Sequence, residues 1–350
     1  MKASKLKFLE TAKRTGLFDL ARRRSSTGVR ILNYHGIWTG SDPYAGDSMF
    51  FTDTGFTRRL ELIRAWGYPV VSLGDAIDHL SGQKAIPPNA VVITIDDGWY
   101  SSYKDMFPKL HQHGMPFTLY CDTGHLYTPG VIPHVAAMYF KILANQRNDQ
   151  SERNIALERP LKSVATDRSR SYAERLDATE KLAKLLGFDF TRYMADKTFH
   201  YMSPSELVEA ASNPDVSIEL HTHNHTLRDW SRNAIEQEIA LNRAALADLL
   251  KRPPTSFKHF CYPSGAYTPE AAEIIKSLGI KSATTTNQGI ATVGTSLLML
   301  PRLCDNEMLT EIEFEAELSG FADWMRLSRT VVPNSKAQSI GTTRSAFCLA

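Results

Sequence analysis

Cysteine is scarce: the 350 residues contain four (Cys121, Cys261, Cys304, Cys348), and none sits in a C-x-x-C pair. That excludes a disulfide-stapled scaffold and a thiolate zinc finger, and it fits thiols kept reduced in a cytosol. Long apolar runs are missing too. They reach about six residues, whereas a membrane-spanning helix needs about 20. No secretory leader is recognisable, because charges interrupt the N-terminal residues every few positions. Neither sign of charge dominates: 40 basic residues stand against 38 acidic ones. The body of the chain therefore lacks the basic surface that nucleic-acid binding requires. No internal repeat is present, so a solenoid is excluded. What remains is ordinary globular composition, 43% hydrophobic and 22% charged, which rules out disorder and a coiled coil. These absences predict a cytoplasmic globular protein.

The charge is uneven along the chain. Residues 1–24 hold eight Lys or Arg against Glu10 and Asp19, or +6, so the remaining residues carry −4 of the net +2. Residues 1–27 read as a basic N-terminal arm. Its helix, with Leu6, Leu9, Leu17 and Leu20 as a partial apolar face, suits either solvent or peripheral contact with an anionic membrane at the inner face. From residue 28 strands and helices alternate. Strands are predicted at Arg30–Tyr34, Pro69–Leu73, Val91–Ile95, Pro116–Cys121, Val216–Leu220, Phe257–Tyr262 and Lys281–Thr286, with helices between them. The run VVITI (91–95) is β-branched or apolar throughout, as a strand buried on both faces requires. Alternation of this kind predicts a parallel α/β architecture. Residues 130–203 break the rhythm and read as a helical insertion in a unit spanning 28–327. A polar, disordered tail is predicted over 328–350.

Three constellations carry chemistry. Asp96-Asp97-Gly98 follows VVITI directly. Two carboxylates at the C-terminal end of a buried strand sit where α/β barrels place active sites, and a metal ion would offset their desolvation. His221-Thr222-His223-Asn224-His225 follows the strand Val216–Leu220. His221 and His225, four apart, meet on one face if the segment turns as a helix. Two imidazoles and a carboxylate make a triad with positions left open for water and substrate. His223 should then point away. The third is Tyr262-Pro263-Ser264-Gly265, a strand-end loop able to turn backbone N–H groups toward a cavity.

In this order TIDDG (94–98), HTHNH (221–225) and YPSG (262–265) resemble the motifs of the polysaccharide deacetylase superfamily. That group carries the NodB-homology domain of carbohydrate esterase family 4 and includes chitooligosaccharide and exopolysaccharide deacetylases. NYHGI (33–37), GYPVVSL (67–73) and LPRL (300–303) extend the likeness over residues 28–305 apart from the insertion. The resemblance implies a distorted (β/α)7-type barrel and a divalent metal, usually zinc. It implies a hydrolase removing an N-acetyl group from an amino sugar in an oligo- or polysaccharide. By motif, Asp97, His221 and His225 would be the metal ligands and Asp96 the general base. The N–H of Ser264 would help hold the oxyanion. Trp99, Tyr262, Pro263 and Gly265 are the substrate-binding candidates, as rings to stack on sugar and as the loop beneath it.

Two departures from the family pattern stand out. Cys261 occupies the place where an Arg commonly orients the base, and Arg302 is the candidate substitute. No histidine follows His259, so the usual late-motif acid is missing. His35, which ends the first strand, is the candidate proton donor, with His125 as runner-up. Two alternatives remain open: a deacylase or deformylase of a lipid-linked amino sugar at the inner membrane face, and a carbohydrate-binding relic without activity.

Overall fold

The β-branched run at 91–95 forms the strand its composition implies. The computed structural model describes residues 2–44, 46, 49–147, 155–227 and 229–330. Its strands are β1 (Arg30–Tyr34), β2 (Gly36–Ile37), β3 (Phe50–Phe51), β4 (Val91–Asp97), β5 (Phe117–Cys121), β6 (Val216–Leu220), β7 (His259–Cys261), β8 (Ser282–Gln288) and β9 (Leu300–Cys304). Seven close into a parallel barrel in the order β1-β4-β5-β6-β7-β8-β9, with β9 returning to β1. This is the distorted (β/α)7 barrel the sequence implied. The short pair β2–β3 stands outside it.

Alternation along each strand builds two layers. Leu32, Ile93, Leu119, Ile218, Phe260 and Leu303 face outward and pack with Phe56, Leu60 and Ile63 of the helix Asp53–Ala65. Ile31, Val92, Tyr120, Cys261 and Leu300 belong to a second buried cluster. Towards the C-terminal mouth of the barrel the residues become polar: Asn33, Thr94, Asp96, Thr284 and Arg302 are all buried there. Pro69–Leu73 does not form the predicted strand. It gives a single bridge, Val70 to Val91, because Ser72 already caps the helix Leu73–Leu80 by accepting from the Asp75 N–H.

The insertion folds as helices at Pro133–Gln146, Ile155–Thr166, Tyr172–Leu185 and Phe190–Ala195. They share a core of their own, centred on Tyr139, Phe140, Leu182, Tyr193 and Phe199. That core takes in Phe50 and Trp99 from the barrel rim. The bridge Val131↔His200 ties its two ends together, and Trp99↔Tyr201 ties it to the segment after β4.

The N-terminal arm departs from both expectations. Its helices Lys2–Arg14 and Leu17–Arg24 dock on the barrel's last two helices, Glu311–Ser319 and Phe321–Thr330. Leu9, Ala12, Phe18 and Ala21 are buried against Ala316 and Phe321, Lys5 and Lys13 pair with Glu313 and Glu315, and Arg22 donates to the carbonyls of Trp66 and Gly67. Part of the stripe read as membrane-facing is thus consumed by intramolecular packing, while Leu17 and Leu20 stay exposed. Truncating Phe18 to alanine is expected to lower the free energy of unfolding by about 3 kcal/mol, the low end for a buried aromatic. A denaturant midpoint unchanged in that variant would show the arm to be undocked. No helix of the described residues is long and apolar enough to cross a membrane. Of the tail expected from 328, residues 328–330 continue the last helix, and 331–350 lie outside the described residues.

Candidate active site

Asp96 and Asp97 end β4, where strict alternation would send them to opposite faces. A positive φ of 75° at Asp97 breaks the alternation, a conformation that Asp tolerates better than most residues. Each carboxylate then has its own partners. Asp96 is clamped by Arg302, whose Nη1 donates to Oδ1 and Nη2 to Oδ2, both at 2.8 Å. Asn33 Nδ2 donates to the same Oδ2 at 2.7 Å. Arg302 is fixed in turn by donating from Nε to the Thr285 carbonyl at 2.8 Å. The structure therefore brings Arg302 to Asp96 from β9. The Cys261 thiol, at 3.5 Å from Oδ2, is too weak a donor to orient a carboxylate. Burial opposes ionisation of Asp96, but the Arg302 guanidinium, aided by His221, holds its pKa below the usual value.

Asp97 faces the histidine loop. Its Oδ1 lies 3.2 Å from His221 Nε2 and 3.1 Å from His225 Nε2. Oδ2 accepts from the Trp99 indole N–H at 2.8 Å. His221 Nδ1 sits 2.8 Å from the Cys261 carbonyl. A carbonyl can only accept, so Nδ1 carries a proton, and Nε2 is the nitrogen left to ligate a cation. Burial would raise the Asp97 carboxyl, yet the neighbouring His225 and His221 imidazoles keep it well below the usual range.

The two imidazoles do not meet through a helical turn, as their spacing suggested. Residues 221–225 are loop, and left-handed backbone at Thr222 (φ 65°) and His225 (φ 50°) folds the segment back, leaving the ring centroids 4.9 Å apart. His223 turns away, as expected, and bonds Thr123 through Nδ1 at 2.8 Å. The loop is held from behind by Glu238, which accepts from the N–H groups of His223 and Asn224.

The residues fit a divalent metal. Asp97 Oδ1 is buried and accepts no hydrogen bond, and the ligand atoms of Asp97, His221 and His225 lie within 4.8 Å of one another. A carboxylate oxygen and an imidazole lone pair repel unless a cation sits between them. Their spacing is close to the roughly 3.4 Å edge of a tetrahedron with bonds of about 2.1 Å. Asp96, His221 and Cys261 also converge, but the Arg302 clamp on Asp96 disfavours a second cation there.

The remaining candidates are placed as follows. His35 is buried and follows Tyr34, which pairs with Ile95, so it stands beside Asp96 on the rim. Its Nδ1 has no hydrogen-bond partner. Ser264, exposed and with φ 56°, lines a cleft of about 520 Å³ together with Pro263 and His225. Gly265 must stay a glycine, because a Cβ there would lie 2.1 Å from Thr286 Oγ1. Two expectations are corrected. Trp99 and Tyr262 are 1% and 0% exposed, so neither ring is available to a sugar. Trp99 packs on Tyr201 and Phe50 and orients Asp97 instead. Tyr262 lies in the outer core, donating to the Leu298 carbonyl.

Sequence reasoning missed three features. Asn33 was visible inside NYHGI, but nothing local says what it touches. The insertion contributes His134, Lys162 and Arg168 to the cleft wall, a contact made only by the fold. The third is a pair at the end of β5, where His125 Nδ1 bonds the buried Asp122 carboxylate at 2.8 Å.

A closed parallel barrel with two carboxylates and two imidazoles at its C-terminal mouth is the framework of a hydrolase acting on carbon–nitrogen amide bonds. Residues 167–283, about a third of the chain, match the family model described as polysaccharide deacetylase. Three solved structures share the barrel at low identity. The Streptococcus pyogenes deacetylase PplD, in complex with acetate, aligns with TM-score 0.56 and 17% identity over 84% of this chain and 99% of its own. IcaB from Ammonifex degensii aligns with TM-score 0.55 and 19% identity over 83% and 97%. A de-N-acetylase from Aggregatibacter actinomycetemcomitans gives 0.53 and 15% over 83% and 99%. At such identities the likeness is one of fold. No curated protein matches the chain by sequence.

Proposed function

We propose that the chain removes the N-acetyl group from an N-acetylated amino sugar in an oligo- or polysaccharide, using a divalent metal, zinc by its donor set, held by Asp97, His221 and His225. The observation that carries this reading is the buried Asp97 oxygen, unbonded between two imidazole nitrogens. Metal analysis combined with acetate release from N-acetylglucosamine oligomers tests it. A protein with stoichiometric metal that releases no acetate from any of them would sink the reading. Free thiols at Cys121, Cys261 and Cys304 support a reducing, cytoplasmic setting.

A cation bound there would polarise the amide carbonyl and lower the pKa of a water toward neutrality. The protein's own groups do the rest. Asp96, locked as an anion by Arg302 and Asn33, accepts the proton of the attacking water. The Ser264 N–H at the cleft edge donates to the carbonyl oxygen as it becomes an oxyanion, a contact typically worth about 2.7–4 kcal/mol. The carbon–nitrogen bond then breaks as the nitrogen takes up a proton, giving acetate and the free amine.

Two histidines compete to supply that proton. His35 stands beside Asp96, with one ring nitrogen unpartnered. His125 has the carboxylate-bound Nδ1 that fixes tautomer and orientation in acid–base histidines, and its largely buried ring neighbours that of His134. Replacing the donor by asparagine should cost about 10²–10⁴-fold in turnover and remove the alkaline limb of the pH–rate profile at constant metal content. We assign the role to His35 if only H35N shows this pattern, and to His125 if only H125N does. If both variants keep the limb, neither residue is the acid.

A further inference from the structure

The cleft beside the site is lined by Lys162 and Arg168 from the insertion, by His134 and His225, and by apolar groups including Trp230. No Asp or Glu is among its lining residues. A neutral amino-sugar polymer has no need of such a wall, and an amine product is repelled by it.

The cations are arranged, not scattered. Arg168 Nη2 and Arg175 Nη2 approach the two ring nitrogens of the same imidazole, His134, at 3.0 and 3.1 Å. Burial, then the neighbouring Arg168, keeps that imidazole well below its usual pKa, so the ring is neutral and offers one lone pair. Two guanidiniums thus converge on one neutral imidazole. Their proximity has a cost: burial and then Arg168 lower the pKa of Arg175. The nearby acid, Asp167, is engaged by Ser169 and Arg170. Glu158 is taken by Lys141 and Glu238 by the histidine loop. Lys162 makes no ion pair among the described residues. Arg168 Nη1 also donates to the Asn224 carbonyl at 3.2 Å, which ties this cationic wall to the loop carrying His221 and His225.

We propose that this wall is a subsite for an anionic group, phosphate or carboxylate, carried by the substrate next to the amino sugar being deacetylated, with Lys162 and Arg168 as its direct contacts. The placement relative to the reacting amide rests on the deacetylase reading; the anion preference itself does not. Guanidinium and ammonium groups on one wall match a tetrahedral or planar oxyanion, and Ser264 with Pro263 forms the opposite wall of the same cleft.

The test is equilibrium binding to the metal-loaded full chain of three ligands: N-acetylglucosamine 1-phosphate, an N-acetylated disaccharide containing glucuronate, and neutral N,N′-diacetylchitobiose. At least one anionic ligand should bind about tenfold or more tightly than the neutral one. Whether the phosphate or the carboxylate ligand wins identifies the source of the charge. The preference should shrink as salt rises from about 0.05 to 0.5 M, and it should collapse in K162Q and R168Q. R168K should recover only part of it, since a point charge replaces a fork. The salt series on the unaltered protein stands even if a variant misfolds. Equal affinity for all three ligands, absence of binding, or a preference that survives both variants and high salt would overturn the proposal. Anion preference without acetate release from any ligand would retain the subsite and reject the deacetylase reading.

Discussion

Asp96→Asn is expected to lower turnover by about 10²–10⁴-fold, the loss typical of removing a general base, while bound metal stays at the unmodified level. The asparagine oxygen can still accept from Arg302, but an amide cannot take the proton of water. The clamp makes this variant informative. Arg302 is 1% exposed, and removing the partner of a buried ion outright costs about 3–5 kcal/mol. Asp96→Ala would therefore confuse chemistry with folding, whereas the asparagine keeps part of the pairing. Thermal melts at the assay pH separate the two effects. Undiminished acetate release by a folded, metal-replete D96N protein would remove Asp96 from the mechanism.

Asp97→Ala is expected to abolish metal retention and activity together. It removes one of the three proposed ligands and leaves the His221 and His225 nitrogens without an anion between them. The loss of affinity should exceed the about 10–100-fold that follows from deleting an outer-shell partner. Metal content after dialysis against a chelator, followed by readdition of zinc, is the measurement. Unmodified protein should recover activity on readdition and the variant should not. His223→Ala is the contrast: its ring bonds Thr123 rather than the cluster, so metal should be retained. Metal loss in the His223 variant equal to that in the Asp97 variant would show that the ligand set is wrong.

Six of the seven barrel strands could be read from the chain because they are local statements, whereas the closing strand Leu300–Cys304 was not, and closure into a barrel was implied only by the family resemblance. A β-branched run at 91–95 and chain-punctuating Thr268-Pro269 and Gly279 mean the same thing wherever they are packed. The motifs that converge at the candidate site were legible for the same reason, since each sits at the end of such a strand. What could not be read depends on distant partners. Lys5 and Lys13 look like free positive charge until Glu313 and Glu315 are folded beside them. Trp99 and Tyr262 have the composition of sugar-stacking rings, and only tertiary packing decides that both point inward. The approach of His221 to His225 was expected from a helical period but is achieved by two left-handed residues, which spacing alone cannot distinguish. Nothing local in residues 130–203 announces that Lys162 and Arg168 will wall a cleft with Ser264.

The clamp on Asp96 also fixes the order of events on the ribosome. Asp96 and Arg302 are separated by 206 positions. At about 5–20 residues per second, the arginine emerges roughly 10–40 s after the aspartate. During that interval β1 has only β4 beside it, the barrel has no closing stave, and the future base has no counter-ion. The N-terminal helices wait longer still, since Lys5 and Glu313 lie 308 positions apart. The carboxylate and its clamp can therefore meet only after the 206 positions between them have been made. Termination before β9 would leave a chain that contains Asp97, His221 and His225 but holds Asp96 without its Arg302 clamp.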